Sequence, residues 1–136
     1  MKRVYTDMVA DMFHVGHLNL IKRAKALGDY LIVGVHSDEN IRKYKRHPVI
    51  SENDRYEIVR SCRHVDEVIE DAPLIMTKDF LEKNNIDLVV RGDDITPELL
   101  GQQSAPIEMG IMKYLPRTSG VSTTEIIQDI LRRENE

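Results

Sequence analysis

Leu31-Ile32-Val33-Gly34-Val35 is an unbroken apolar run, and it limits the fold more than any other feature of the chain. A strand this apolar is buried on both faces, which is a property of parallel sheets covered by helices. Upstream, Arg3 to Val9 alternates weakly and carries β-branched and aromatic residues, so it reads as a first strand. From His17 to Leu27, the apolar residues Leu18, Leu20, Ile21, Ala24 and Leu27 recur at helical spacing, and Gly28 supplies the stop. Strand, helix and strand make a right-handed βαβ unit. The turn between the first strand and the helix then lies at the carboxyl end of the sheet, where open α/β sheets bind ligands.

The rest of the chain continues the alternation. Ser37 to Asn40 caps a short helix that enters the basic cluster Arg42-Lys43-Tyr44-Lys45-Arg46-His47 and ends at Pro48. Ser51-Glu52-Asn53-Asp54 opens another helix, carrying Tyr56, Ile58 and Val59 toward Cys62. Val65 to Ile69 reads as a strand, Thr77 to Asn85 as a helix, and Ile86 to Val90 as a strand ending at Arg91-Gly92-Asp93-Asp94. Residues 96–106 are expected to form a loop with one short helical turn, and Ile107 to Leu115 a last strand. Ser122-Thr123-Thr124-Glu125 caps a final helix bearing Ile126, Ile127, Ile130 and Leu131. The sum is an α/β fold with a mostly parallel sheet. At 136 residues, without repeat or linker, residues 1–136 are expected to be one domain.

Charge and cysteine usage narrow the function. A net charge of −4 argues against general nucleic-acid or anionic-membrane binding. The single Cys62 fits a reducing compartment. Asp7 and Asp11 interrupt any signal-peptide pattern, and no apolar run approaches membrane-spanning length. The expectation is a cytoplasmic protein with no nucleic-acid partner and no stable membrane insertion.

The chemistry centres on His14 and His17, which flank Gly16 where the first helix should begin. Unpaired N–H groups and the positive end of the helix dipole favour phosphate there. No G-x-x-x-x-G-K-[ST] sequence is present, no G-x-G-x-x-G follows a strand, and there is no G-x-S-x-G elbow. The available groups are two histidines, a lysine/arginine cluster, Arg117 and the hydroxyls at 122–124. Such a set suits charge stabilisation in phosphoryl or nucleotidyl transfer, which asks a protein chiefly for positioning and positive charge. Taken singly, each signal has a plain structural reading. The histidines read as helix caps, the basic cluster as a solvated face, and Ser122 to Thr124 as a cap. As a metal pair, His14 and His17 lack a third ligand at a usual spacing. Their order along the chain and their shared rim favour the functional reading.

Four blocks carry a resemblance to the small cytidylyltransferases that make CDP-alcohols, the phospholipid precursors. Asp11 and His14-Val15-Gly16-His17 match the H-x-G-H signature of the nucleotidyltransferase superfamily. Arg63 to Val68 is similar to the R-Y-V-D-E-V block, Gly92-Asp93-Asp94 to a strand-end nucleotide contact, and Arg117 to Thr124 to R-T-x-G-[IV]-S-T-T. The resemblance spans Val4 to Leu131. It implies a single doubly wound, Rossmann-like sheet of five strands. It also implies transfer of CMP from CTP to a small phosphate monoester, with Mg²⁺ travelling on the CTP. His14 and His17 would stabilise charge at the α-phosphorus, and Lys45 would bridge CTP and the acceptor phosphate. Arg117, Ser122 and Thr123 would hold the β- and γ-phosphates. Val9, Ala10, Gly92, Asp93, Thr118, Gly120 and Val121 would complete the nucleotide site. The Arg63–Val68 block implies a homodimer, with Arg63 and Asp66 as cross-subunit partners.

Two departures stand out. Met8 and Ala10 occupy the positions of the family's glycine and aromatic residue. On an extended segment both point to one face, so Met8 is expected to fill the volume that Ala10 vacates. After Asp71-Ala72-Pro73 the choline-phosphate enzymes carry a tryptophan, whereas this chain has Leu74, which offers no π-face for a quaternary ammonium. The pattern across residues 42–77 most resembles ethanolamine-phosphate enzymes, with glycerol 3-phosphate and choline phosphate as further acceptors. An ATP-dependent adenylyltransferase and a non-catalytic nucleotide-binding module remain as alternatives.

Overall fold

The computed structural model describes residues 1–93, 97–117 and 122–136. Strands β1 (Arg3–Met8), β2 (Tyr30–Val35), β3 (Glu67–Glu70), β4 (Leu88–Gly92) and β5 (Met112–Leu115) form one sheet in the order β3-β2-β1-β4-β5. Every adjacent pair is parallel, so the sheet is wholly parallel rather than mostly so. The chain builds outward from β1 through β2 to β3, then crosses to the other side for β4 and β5. That reversal puts the topological switch point at the carboxyl ends of β1 and β4, where a crevice opens.

Alternation along β1 feeds two cores. Val4 and Met8 pack with Val33 and Val35 of β2, with Ile21 and Ala24 of α1 (Val15–Ala26), and with Tyr56 and Val59 of α3 (Glu52–Arg60). On the opposite face, Tyr5, Ile32 and Val89 meet Met76, Ile86 and Leu81, the last from α4 (Lys78–Lys83). Helices on both faces explain why β2 is apolar throughout. Side chains such as Ile21 and Leu81, fully buried, each contribute about 1.5–3 kcal/mol of transfer free energy.

Side-chain caps open three helices, whereas Ser51 stands at the N-cap of α3 without a side-chain bond. The hydroxyls of Ser37, Thr77 and Ser122 accept from the N–H groups of Asn40, Phe80 and Glu125, opening α2 (Asp38–Arg42), α4 and α7 (Thr123–Glu134). The stretch 97–115 differs from expectation. It holds two helices, α5 (Pro97–Gln102) and α6 (Ser104–Glu108), and only Met112–Leu115 is strand. The N–H groups of Met109 and Gly110 bond back to Ala105 and Ile107, and Gly110 has φ +72°. A left-handed glycine closes the helix where an extended strand was expected, leaving Ile107 and Met109 exposed.

Candidate active site

Helix α1 begins at Val15, with His14 as its N-cap. His14 Nδ1 accepts from Gly16 N at 3.0 Å, and His17 Nδ1 accepts from His14 N at 3.1 Å. This is a capping box in which two imidazoles replace the usual hydroxyl and carboxylate. A ring nitrogen that accepts an N–H bond carries no proton, so the neutral ring is protonated on Nε2. The cap therefore selects one tautomer at both histidines and leaves two Nε2–H donors beside a helix N-terminus. The rings lie 4.0 Å apart between centroids, and Phe13 stacks on His17 at 5.4 Å. Burial pushes the His17 pKa down to about 4, aided by His14 and Lys45 and opposed by Asp11. Burial also lowers that of His14. At neutral pH both rings are uncharged donors.

Two buried groups set the turn in place. Both oxygens of Asp11 accept backbone N–H bonds, from Val49 and Ile50, at 2.9 Å each. Its carbonyl accepts from Thr123 Oγ1 at 2.7 Å, tying the start of α7 to the β1–α1 turn. Arg55, with no exposed surface, bonds to the carbonyls of Ile50, Val9 and His36 and to the Asp38 carboxylate. One guanidinium thus joins the ends of β1 and β2 to α2 and the approach to α3. The turn itself is tight, with Ala10 at φ +59° and Met12 at +49°.

These elements enclose a cleft of about 600 Å³. His14, His17, Lys45, Arg117, Ser122 and Thr123 line it. Arg23, on the α1 face that carries His17 and Leu20, also lines it and donates to Pro116 O at 2.8 Å, holding the segment that bears Arg117. At the floor, Asp7 joins Arg91 and His36. Arg46 reaches across the mouth to Thr124 Oγ1 at 3.4 Å.

The sequence-derived residues are distributed as follows. Val9 and Gly92 line the cleft with the histidines, Lys45 and Arg117. Asp93 stands at the β4 end, where it accepts from Arg117 N at 3.1 Å. The Ala10 side chain is buried beneath the turn, so only its backbone can face a nucleotide. The Thr123 hydroxyl is committed to Asp11, and that of Ser122 accepts from the N–H of Glu125. Thr118, Gly120 and Val121 lie outside the described residues. Met8 and Ala10 belong to one core cluster, but the extended-segment premise fails, because Ala10 is left-handed. Asp66 Oδ2 already accepts from Lys25 and Leu31 N within the chain, while Arg63 is exposed on the approach to the edge strand β3. Sequence reasoning passed over Arg55, Arg91, Arg23, His36 and Asp7. An aspartate inside an otherwise apolar strand was the available signal for the last; Arg55 in an acidic helix start offered none.

Comparisons with known proteins show similarity along most of the chain. Residues 6–129 match the family described as cytidylyltransferase-like. A probable ethanolamine-phosphate cytidylyltransferase of Encephalitozoon cuniculi is 44% identical over 128 residues, covering 93% of this chain and 40% of that protein. Choline-phosphate cytidylyltransferase A of Homo sapiens is 42% identical over 135 residues, covering 96% of this chain and 36% of that protein. The chain thus spans two fifths or less of the length of these relatives. Among solved structures, the lipopolysaccharide core biosynthesis protein of Thermoplasma volcanium is 26% identical with a TM-score of 0.74, covering 88% of this chain and 99% of that one.

Proposed function

The chain belongs to the cytidylyltransferase-like family, and we propose that it transfers CMP from CTP to a small phosphate monoester, releasing pyrophosphate and forming a CDP-alcohol. Ethanolamine phosphate is the favoured acceptor, supported by the names of relatives such as the E. cuniculi and Dictyostelium discoideum proteins. The observation that carries the reading is the imidazole capping box, which aims two neutral N–H donors at a cleft rimmed by Lys45 and Arg117.

In the reaction an oxygen of the acceptor phosphate attacks the α-phosphorus of CTP. The bond to the β-phosphate oxygen breaks on the far side, and pyrophosphate leaves without a covalent enzyme intermediate. Negative charge shifts toward the leaving group, so fixed donors bind the transition state more tightly than the ground state. His14 and His17 supply those donors through Nε2–H. Lys45 offsets the repulsion between acceptor phosphate and triphosphate, and Arg117 with the N-terminal N–H groups of α7 receives the departing phosphates. Because the Thr123 hydroxyl is already donated to Asp11, its backbone N–H is the group left for phosphate.

The substrate is magnesium-bound CTP. Among the described residues no three His, Cys, Asp or Glu side chains are grouped to hold a metal. The acids of the cleft are committed, Asp7 to His36 and Arg91 and Asp11 to two backbone amides. This donor set fits an ion carried on the triphosphate rather than a resident one. The proposal includes a homodimer through Arg63–Val68, in which exposed Arg63 makes the cross-subunit contact, and a cytoplasmic location. Among the described residues no helix is long and apolar enough to cross a membrane.

Pyrophosphate release, measured with CTP or ATP against ethanolamine phosphate, choline phosphate and glycerol 3-phosphate, tests the reading. CTP with ethanolamine phosphate should give the highest kcat/KM, and His17→Ala should lower kcat about 10²-fold or more. A preference for ATP, or CTP binding without turnover of any acceptor, would overturn it.

A further inference from the structure

The carboxyl ends of β1, β2 and β4 bring three ionisable side chains together at the floor of the cleft. Asp7 is 3% exposed and both its oxygens are engaged. Oδ1 accepts from Arg91 Nη1 at 2.7 Å, and Oδ2 lies 3.1 Å from His36 Nε2. The other ring nitrogen of His36 lies 3.0 Å from Ala72 O. Burial alone would raise the Asp7 pKa; Arg91 and then His36 hold it below the usual carboxylate value. The negative charge of Asp7 is therefore offset where it stands.

This group lies on the sheet face opposite α1. Along β1, Asp7 points to the same side as Tyr5, whereas Met8 shares the α1 side with Val4. Leu74, Tyr44 and Gln102 also line the cleft, whose portion on this face is the Asp7 lobe. It rests on the cytidylyl-transfer reading that an acceptor attacking the α-phosphorus extends its unreacted end into this lobe. We propose that Arg91 sets the choice of acceptor: by compensating Asp7, it excludes a trimethylammonium head and admits heads that form hydrogen bonds, a primary amine or a hydroxyl.

A trimethylammonium group has no N–H to donate and depends on net negative charge or on aromatic faces. Neither is offered. Asp7 is matched by Arg91, Leu74 is aliphatic, and the Tyr44 ring already carries the Lys45 ammonium 5.6 Å from its centroid. A primary amine recovers binding by donating into the lone pairs that a carboxylate keeps beyond its two bonds. A hydroxyl donates to Asp7 and accepts from Arg91.

The test measures kcat/KM for choline phosphate relative to the better of ethanolamine phosphate and glycerol 3-phosphate, with the KM for CTP as a control. Wild type should disfavour choline phosphate. Arg91→Met should shift the ratio toward it by about tenfold or more while the KM for CTP holds. Arg91→Lys, which keeps the charge, should retain the wild-type ratio, and Asp7→Asn added to Arg91→Met should abolish the gain. Should Arg91→Met fail to fold, Arg91→Gln, which donates to Asp7 without charge, takes its place with the same expectation. An unchanged ratio in the uncharged variant, an equal shift in Arg91→Lys, or wild-type indifference between heads would overturn the proposal. Absence of CTP turnover with every acceptor would instead overturn the cytidylyl-transfer reading on which it rests.

Discussion

Arg55→Met removes the group on which the rim of the cleft depends while keeping most of the side-chain volume. The guanidinium makes four hydrogen bonds, to Ile50 O at 2.9 Å, Val9 O at 2.6 Å, His36 O at 2.8 Å and Asp38 Oδ1 at 2.7 Å. Arg55 is fully buried and the Asp38 side chain is 19% exposed. The substitution strands three carbonyls and leaves a largely enclosed carboxylate without its partner. Breaking a buried pair by removing one member costs about 3–5 kcal/mol, a large share of the roughly 5–15 kcal/mol that holds a domain folded. Urea denaturation followed by circular dichroism should show that loss, with Tm lower by about 10–20 °C. CTP affinity should fall as well, because Val9 and His36 bound the cleft. Arg55→Lys, which keeps the charge but not the fork, should recover part of the loss. A destabilisation of Arg55→Met below about 1 kcal/mol would refute the claim that this side chain organises the rim.

Tyr5 Oη is buried without a hydrogen-bond partner, so Tyr5→Phe should raise the urea midpoint, by about 1 kcal/mol in stability. Gly34→Ala should destabilise by about 1–3 kcal/mol, because a Cβ there would lie 2.1 Å from Tyr5 Oη and 2.8 Å from Ala72 Cβ; adding Tyr5→Phe should recover part of it. His17 takes up a proton near pH 4 in the fold and near its ordinary 6.5 when unfolded. Its contribution to stability is therefore complete above pH 6.5 and is lost as pH falls toward 4. His17→Gln, which can keep the cap without titrating, should flatten the stability profile over that interval.

Much of the fold could be read from local pattern, because the two periodicities are strong where faces are buried. The continuous run of β2 and the helical spacing of α1 left little freedom, and the caps at Ser37 and Ser122 stand where expected. The stretch 107–115 misled because Ile107, Met109 and Ile111 alternate like a strand. The left-handed turn at Gly110 depends on how α6 ends, which alternation does not encode. At the site, His14 and His17 were legible as either caps or phosphate ligands. The geometry shows that these are one arrangement, since capping with Nδ1 is what frees Nε2–H. Arg55, Arg91 and His36 were not legible, because each acts through partners distant in sequence. Asp7 reached the page only as a charge interrupting an apolar segment, and its meaning depends on Arg91, 84 residues away.

The central claim is that two neutral imidazoles, each held as the Nε2–H tautomer by the helix start, present donors to a triphosphate. Long-range ¹H–¹⁵N correlation spectra of the histidine rings test this directly, without and with CTP. The account predicts that His14 and His17 both show an unprotonated Nδ1 and a protonated Nε2 at neutral pH. His17 should hold that form until the pH approaches 4, and CTP should perturb the Nε2–H signals of both. An Nδ1–H tautomer at either ring, or an imidazolium at His17 near pH 6, would contradict it.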